Sequence, residues 1–416
     1  MLSKTPTKGM RDFLPTEYRM RQRLMSVIQS TYEKYGFSRI ETPCVENINL
    51  LCSKQGGDNE KLIFKILKRG EKLENANEGE LCDLGLRYDL TVPLARYYAN
   101  NCGQLPSVFK AMQMDNVWRA DRPQKGRYRQ FVQCDIDIVG DPTNLAEIEL
   151  ITATTEALGN LGFGNVVVRL SDRRLLKALV EKCGFDPSQY DAVFIALDKL
   201  DKLGVRGVME EIEQIAPGKS VEFIDMINRI TSSENSFETC VAELGEYLPA
   251  EVSKNVSEIL DVTNHTVKNG KVVFDVTLVR GMGYYTGTIY EISLDGLAIS
   301  AGGGGRYDKM IGKIIGNDVP ACGFSIGFER IVMLLQDKGL LEQEIGSTAV
   351  IIEKNADAKQ IKEVMDSCAF LRKNGKVVLV KRIKNFAFQL KQLQDQGCNQ
   401  IFEFRDGKLN QVNLNK

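Results

Sequence analysis

RADRPQKGRYRQF, residues 119–131, carries five arginines or lysines around one proline and one glycine. It stands between two apolar runs, residues 109–117 and 131–139. Flanks of this kind predict two strands joined by a long basic hairpin loop with arginines at its base. A guanidinium fork matches phosphate oxygens bidentately and keeps its charge. Such a loop can therefore clamp a polyphosphate or touch a nucleic-acid backbone. A solvated charged turn is the competing reading, and the rest of the chain has to decide between them.

Upstream of the loop, residues 17–35 predict an amphipathic helix, with Met20, Leu24, Ile28 and Tyr32 at i, i+4 spacing and Gly36 as the stop. Residues 37–43 predict a strand ended by Pro43, and residues 62–68 and 81–86 two more strands. Residues 91–100 predict a helix with Pro93 in its first turn, where proline is tolerated. Downstream come a helix over 144–161, a mostly helical acidic segment over 175–258, and strands over 272–279 and 288–294. A glycine run at 302–305 and a helix over 327–338 complete this part. Hairpin-joined strands with helices to one side indicate an α+β domain over 1–338, its antiparallel sheet flanked by helices, with a helical insertion at about 172–262. From residue 347 the pattern becomes strand 348–353, helix 358–373, strand 376–381, helix 385–396 and strand 400–404. That alternation predicts a small C-terminal α/β domain, 346–416, on a largely parallel sheet.

Composition excludes several function classes. No apolar run reaches the ~18–20 residues of a membrane helix, and MLSKTPTKGMRDFLP lacks the apolar core of a secretory signal. Ten cysteines occur without a CxxC pair, as expected of buried small hydrophobes in a reducing cytoplasm. The net charge of −1 requires any nucleic-acid contact to come from local patches. The single histidine, His265, lies in the polar stretch VTNHTVKNGK and is expected at the surface between elements. A multi-histidine metal centre is therefore excluded, and chemistry must fall to arginines and carboxylates.

Four clusters join the basic loop. In LRYDLT, Asp89 closes a strand and Thr91 opens a helix, so Asp89 serves either as a helix cap or as a seat for a substrate ammonium. In QCDID, Gln133, Asp135 and Asp137 alternate and share one strand face, where a buried strand would ordinarily be apolar. In LVRGMGYYTGTIYE, Arg280 precedes a glycine-flexed turn bearing Tyr284 and Tyr285, which can wall a polar pocket. Last, SAGGGGRYD and CGFSIGFER bring glycines and Arg330 to a helix start, a natural anion site. Arg119, Arg280 and Arg330 supply fixed positive charge, and Asp89, Gln133 and Asp137 supply acceptors for a cationic substrate. Phosphoryl or nucleotidyl transfer relies on positioning and electrostatics and needs no protein nucleophile. No GxxxxGK[ST] stretch is present, which excludes a P-loop enzyme.

These motifs resemble those of the histidyl-tRNA synthetase family, class II aminoacyl-tRNA synthetases, over essentially the whole chain. KGMRDFLP is similar to the family's opening signature and the helix ending in the Pro43 strand to motif 1. RADRPQKGRYRQF is similar to motif 2 and GFSIGFER to motif 3. LVRGMGYY and GGRYD resemble the two histidine-specific signatures. The resemblance implies that histidine attacks the α-phosphate of ATP, giving histidyl-adenylate and pyrophosphate, before transfer to tRNA. By match of position, Arg119 and Arg280 would be catalytic. Asp89, Leu90, Thr91, Arg119, Gln133, Asp137, Arg280, Tyr284 and Tyr285 would bind histidine. Arg119, Asp121, Arg127, Arg280 and Arg330 would bind ATP, with Mg²⁺ carried in by ATP. A cytoplasmic homodimer, formed through motif 1, is implied.

The C-terminal domain would bind the anticodon, since residues 372–391 hold seven basic side chains and no acidic one. Three departures stand out. Gly283 replaces an aspartate usual before the tyrosine pair, Asp121 is shorter than the glutamate common in bacterial members, and the C-terminal domain is short, ending at NQVNLNK without a closing helix. The competing reading is a non-catalytic relative, the synthetase-like regulatory subunit of ATP phosphoribosyltransferase; Arg119, Arg280 and Arg330 favour the ligase. A generic RNA-binding module is disfavoured because the polar groups converge on a small-molecule pocket.

Overall fold

The computed structural model describes residues 3–52, 58–77, 80–279, 284–297, 299–338 and 347–413. Two compact units are present, Met1–Gly339 and Leu340–Lys416. The strands of the first are β1 (Ser38–Arg39), β2 (Val45–Asn47), β3 (Lys65–Leu67), β4 (Cys82–Leu86), β5 (Phe109–Trp118), β6 (Gln130–Val139), β7 (Val166–Asp172), β8 (Gly270–Phe274), β9 (Thr288–Leu294), β10 (Gly302–Arg306) and β11 (Ala321–Gly327). Eight of them form one sheet in the order β1-β5-β6-β11-β10-β9-β7-β8. Its interior pairs are antiparallel, and only the edge pairs β1/β5 and β7/β8 are parallel. β2, β4 and β3 make a separate three-stranded antiparallel sheet.

The hairpin expected around residues 119–131 is the centre of this architecture, with β5 and β6 in register from Phe109↔Val139 to Trp118↔Gln130. Alternation along β6 separates its two faces. Cys134, Ile136 and Ile138 are fully buried on the face covered by helix Leu145–Asn160, each isoleucine contributing roughly 1.5–3 kcal/mol of burial. Gln133, Asp135 and Asp137 occupy the other face. Helix Pro15–Lys34 buries Ile28 and Tyr32 completely and packs on Leu145–Asn160.

Several expected elements have different limits. The strand expected over 272–279 ends at Phe274 because the Asp275 carboxylate accepts hydrogen bonds from the Thr277 N–H (2.8 Å) and hydroxyl (2.6 Å), closing an Asx turn. The strand expected over 37–43 shrinks to Ser38–Arg39, an edge strand parallel to β5. That over 62–68 shrinks to Lys65–Leu67. The glycine run is itself a central strand, β10, buried throughout. β7 and helix Asp308–Ile315 lie outside the expected elements, although Val166, Val167 and Val168 form a β-branched run and Met310 and Ile311 put an apolar face on the helix. His265 is exposed as expected, but it lies in the last turn of helix Ala250–Thr266 rather than between elements. Six helices, from Arg173–Lys182 to Ala250–Thr266, fill the chain between β7 and β8 and share an apolar core with Val276, Leu278, Val279 and Ile289.

The second unit contains β12 (Ser347–Ile352), β13 (Val377–Lys381), β14 (Cys398–Arg405) and β15 (Lys408–Gln411), in the order β13-β12-β14-β15. β12 pairs parallel with both β13 and β14, as the strand–helix alternation predicts. β15 adds an antiparallel hairpin strand turned at Asp406 and Gly407, both in the left-handed region.

Candidate active site

Cross-strand register explains why one face of the sheet is open. Asp137 lies between Ala111 and Gly323, Asp135 between Gln113 and Ser325, and Gln133 between Asp115 and Gly327. Gly303 and Gly305 follow on β10. Small neighbours leave a cavity of about 590 Å³ above the carboxylates. At Gly323 the requirement is strict, because a Cβ there would stand 2.0 Å from Asp137 Oδ1. At Gly304 a Cβ would meet the Gly323 carbonyl at 1.9 Å, so β10 packs this closely only without side chains.

Among the carboxylic acids that line this cavity, Asp89, Asp135 and Asp137 are buried around Gln133, while Glu329, also buried, is bound by Arg21. Asp89 follows β4 instead of closing it, and its Oδ1 accepts the Val92 N–H at 3.0 Å in the first turn of helix Thr91–Asn101. It is thus a cap and a cavity wall at once. Burial raises its pKa, opposed by that N–H and by Arg119. Burial and the neighbouring Asp137 push Asp135 well up, with the Ser325 hydroxyl and Arg119 opposing. Asp137 is pushed up to about 7 by burial, although the Tyr307 hydroxyl, donating at 2.6 Å, holds it lower than it would otherwise be. Carboxyl groups so poised favour a cationic ligand, which would restore them to the ionised state.

Gln133 Nε2 donates to Ser325 Oγ at 2.8 Å, and Gln133 Oε1 accepts from Arg119 Nη2 at 3.2 Å. Arg119 also donates through Nε to the Tyr88 carbonyl at 2.8 Å and lies 5.2 Å from the Phe131 ring centre. Its guanidinium is thereby fixed at the junction of the acidic and basic walls. Beyond it, Arg127 stands 3.4 Å from Asp121, and Arg330 donates to the Ser300 carbonyl. Tyr284 and Tyr285 stand side by side, ring centres 4.4 Å apart, with Tyr284 edge-on to Tyr307.

Asp89, Thr91, Arg119, Asp121, Arg127 and Gln133 therefore line one cavity, together with Asp137, Tyr284, Tyr285 and Arg330. Leu90 does not join them, being fully buried with its carbonyl accepting from Gln113. Arg280 and Gly283 lie outside the described residues. Sequence reasoning missed Tyr88, Tyr307, Ser325 and Glu329 as lining groups. Each stands inside a motif that was singled out, but choosing it required knowing which way the strand or helix faced.

The family model for histidyl-tRNA synthetase matches residues 9–331. A histidine–tRNA ligase from Leifsonia xyli subsp. xyli is 45% identical over 361 residues, covering 84% of this chain and 83% of that protein. The histidyl-tRNA synthetase structure from Nostoc sp. PCC 7120 aligns with a TM-score of 0.79 at 25% identity, covering 99% of this chain and 97% of that one. A structure from Bacillus halodurans C, described as an ATP phosphoribosyltransferase regulatory subunit/histidyl-tRNA synthetase, aligns at 0.77 and 19% identity over 97% of this chain and 98% of that one, a likeness of fold alone. With a family match across most of its length and such identity to a named ligase, the chain belongs to the histidyl-tRNA synthetase family.

Proposed function

We propose that this cavity activates histidine with ATP, and that the histidyl group then passes to tRNA. Histidine–tRNA ligation is the activity of the family to which the chain belongs, with histidine, ATP and tRNA as its substrates. One observation carries the residue-level reading: three buried carboxyls and Gln133 face Arg119, Arg127 and Arg330 across a single cavity. The acidic side suits the ammonium and imidazole of histidine, and the basic side suits a triphosphate. Asp89, Thr91 and Gln133 would take the ammonium, while Asp137, Tyr284 and Tyr285 would take the imidazole.

The substrate carboxylate oxygen then attacks the α-phosphorus, the bond to the β-phosphate oxygen breaks, and pyrophosphate leaves. Arg119, at the junction, would hold both the carboxylate and the α-phosphate, sharing the developing charge with Arg280. Arg127 and Arg330 would hold the terminal phosphates and Asp121 the adenine amino group. Mg²⁺ would travel with ATP, whose phosphates and waters supply its ligands. Glu329, next to Arg330 in sequence, is committed to Arg21 at 2.6 Å.

Residues 1–338 would form the catalytic domain, with the helices between β7 and β8 as an insertion. Residues 346–416 would bind the anticodon, a reading supported by the exposure of Arg372, Lys373, Lys376, Lys381, Lys384 and Lys391. Pairing of two copies is supported by the exposed Val45, Leu67 and Leu84 of the three-stranded sheet, apolar surface that a cytoplasmic homodimer would cover.

Pyrophosphate exchange with ATP-Mg²⁺ and each of the twenty amino acids tests the proposal, with Arg280→Ala as control. Exchange with histidine alone, lost in the variant, is the expected result. Histidine binding without exchange would instead favour a regulatory subunit.

A further inference from the structure

The segment KGMRDF, residues 8–13, holds no role in the chemistry above, yet it is bound to the basic loop at several points. Gly9 has φ +86°, and a Cβ on it would stand 2.8 Å from Arg129 Cγ and 2.8 Å from Pro123 Cγ. The segment therefore lies wedged between the two sides of the loop. The Gly9 carbonyl accepts the Arg129 N–H at 2.8 Å, and the Lys8 carbonyl accepts Arg129 Nη1 at 3.4 Å. The same guanidinium donates through Nε to the Asp121 carbonyl at 3.1 Å, tying the segment to the residue proposed near the adenine. Arg11 donates to the Tyr128 hydroxyl at 3.3 Å and lies 5.6 Å from that ring's centre. Arg129 is thus a basic residue of the loop that serves the segment rather than the cavity.

The other end of the segment reaches the second phosphate-binding element. The Phe13 ring centre lies 4.0 Å from the Arg21 guanidinium, which also packs at 5.0 Å on Phe328. Arg21 and Glu329 form a buried two-pronged pair, both bonds 2.6 Å. Glu329 Oε1 also accepts the Val132 N–H at 3.3 Å, joining the start of helix Phe328–Asp337 to β6. Arg330 is the next residue on that helix. One continuous set of contacts therefore runs from Arg127 and Tyr128 through residues 8–13 to Arg330.

We infer that residues 8–13 act as a positioning strap for the triphosphate half of the site, holding the loop that bears Arg127 and the helix start that bears Arg330 in one mutual arrangement. The inference rests on the reading of those arginines as ATP ligands. None of these contacts is with Asp89, Asp135 or Asp137, so loss of the strap weakens ATP selectively. A misplacement of about 1 Å at a positioning group can cost on the order of 100-fold. The strap acts one step removed, and about a tenfold effect on ATP is expected.

The test compares the full-length protein with Gly9→Ala, which forces a side chain between Arg129 and Pro123, and Phe13→Ala, which removes the ring from Arg21. Three quantities are read on each: the Kd for a non-hydrolysable ATP analogue by equilibrium dialysis, KM for ATP and for histidine in pyrophosphate exchange, and the melting temperature. The expected result is a roughly tenfold rise in Kd and KM for ATP, with KM for histidine within about twofold of the parent. An unchanged Kd for the analogue in both variants overturns the strap. Equal weakening of both substrates with a lowered melting temperature overturns it too, because that is the mark of a merely structural segment. A parent protein that binds the analogue but catalyses no exchange defeats the activation reading, and the Kd comparison still decides the strap. Should Gly9→Ala fold poorly, Phe13→Ala carries the comparison, since it introduces no backbone strain.

Discussion

The two walls of the cavity are built on opposite principles. On the acidic wall, Asp135 and Asp137 are each 3% exposed, and Asp89 is 5% exposed. Asp135 and Asp137 grow from a ten-residue strand, Asp137 between Ala111 and Gly323 and Asp135 between Gln113 and Ser325. On the basic wall the side chain of Arg127 is 48% exposed, carried on a loop, and Arg330 rides a helix start. Strand-borne groups in a dry environment resist displacement and discriminate sharply, because a ligand failing to satisfy them leaves buried charge unpaired. Loop-borne arginines in partial contact with water attract phosphate without demanding a single geometry. On the proposed reading, histidine specificity would reside in the sheet and ATP capture in its attachments.

The largest effect is expected where the walls meet. Arg119→Ala removes the one described guanidinium bonded both to Gln133 and to the Tyr88 carbonyl, and exchange should fall by about 10²- to 10³-fold. A melting temperature close to the parent's would show that the loss is in the chemistry. Asp137→Asn comes next. It replaces a charged acceptor with a neutral one, and KM for histidine should rise by roughly 10- to 100-fold, with KM for ATP unchanged. Gly323→Ala should mimic it, since the new methyl occupies the place of Asp137 Oδ1; a variant with normal histidine KM would break the link between the glycine and the acidic wall.

Asp137 also makes the acidic wall visible in stability. Its folded pKa, near 7, lies above the ordinary carboxylate value of 3.8, so the folded state binds its proton more tightly than the unfolded chain. The corresponding stabilisation is fully present below about pH 4 and is lost as pH rises through about 7. Without ligand, the thermal midpoint should fall between about pH 4 and pH 7 and level off above that, and Asp137→Asn should flatten the fall. Added histidine should restore the midpoint at the alkaline end by supplying the missing cation. An identical pH profile in parent and variant would mean that Asp137 does not titrate in this range.

The two walls were unequally legible in the sequence. The QCDID alternation exposed the acidic wall because a period of two places Gln133, Asp135 and Asp137 on one face whatever the sheet order. The ten-residue strands and the basic loop between them were legible for the same reason. Tyr307 and Ser325 were not, since their reach into the cavity depends on β10 and β11 pairing beside β6, a non-local register that no local pattern states. β10 itself has no hydrophobic signal; a run of glycines becomes a buried strand only because its neighbours approach too closely for side chains. The strand ending at Phe274 was overread because the apolar run continues past Asp275, whose short side chain nonetheless captures the backbone and turns it.

The smallest expected effect sharpens the contrast most directly. Arg127 is half exposed and already paired with Asp121 at 3.4 Å, so its contact with a phosphate forms in a strongly screened environment and displaces an existing partner. Arg127→Ala should raise KM for ATP by only about 2- to 5-fold and leave kcat nearly unchanged. Salt provides the control that mutation alone lacks. Raising ionic strength to about 1 M shortens the screening length to roughly 3 Å, which weakens exposed pairs while leaving buried ones largely intact. KM for ATP in the parent should then climb toward that of Arg127→Ala, whereas the gap in histidine KM between the parent and Asp137→Asn should persist. If salt closed the second gap as readily as the first, the acidic wall would be as wet as the basic one, and selectivity would have to be sought outside the sheet.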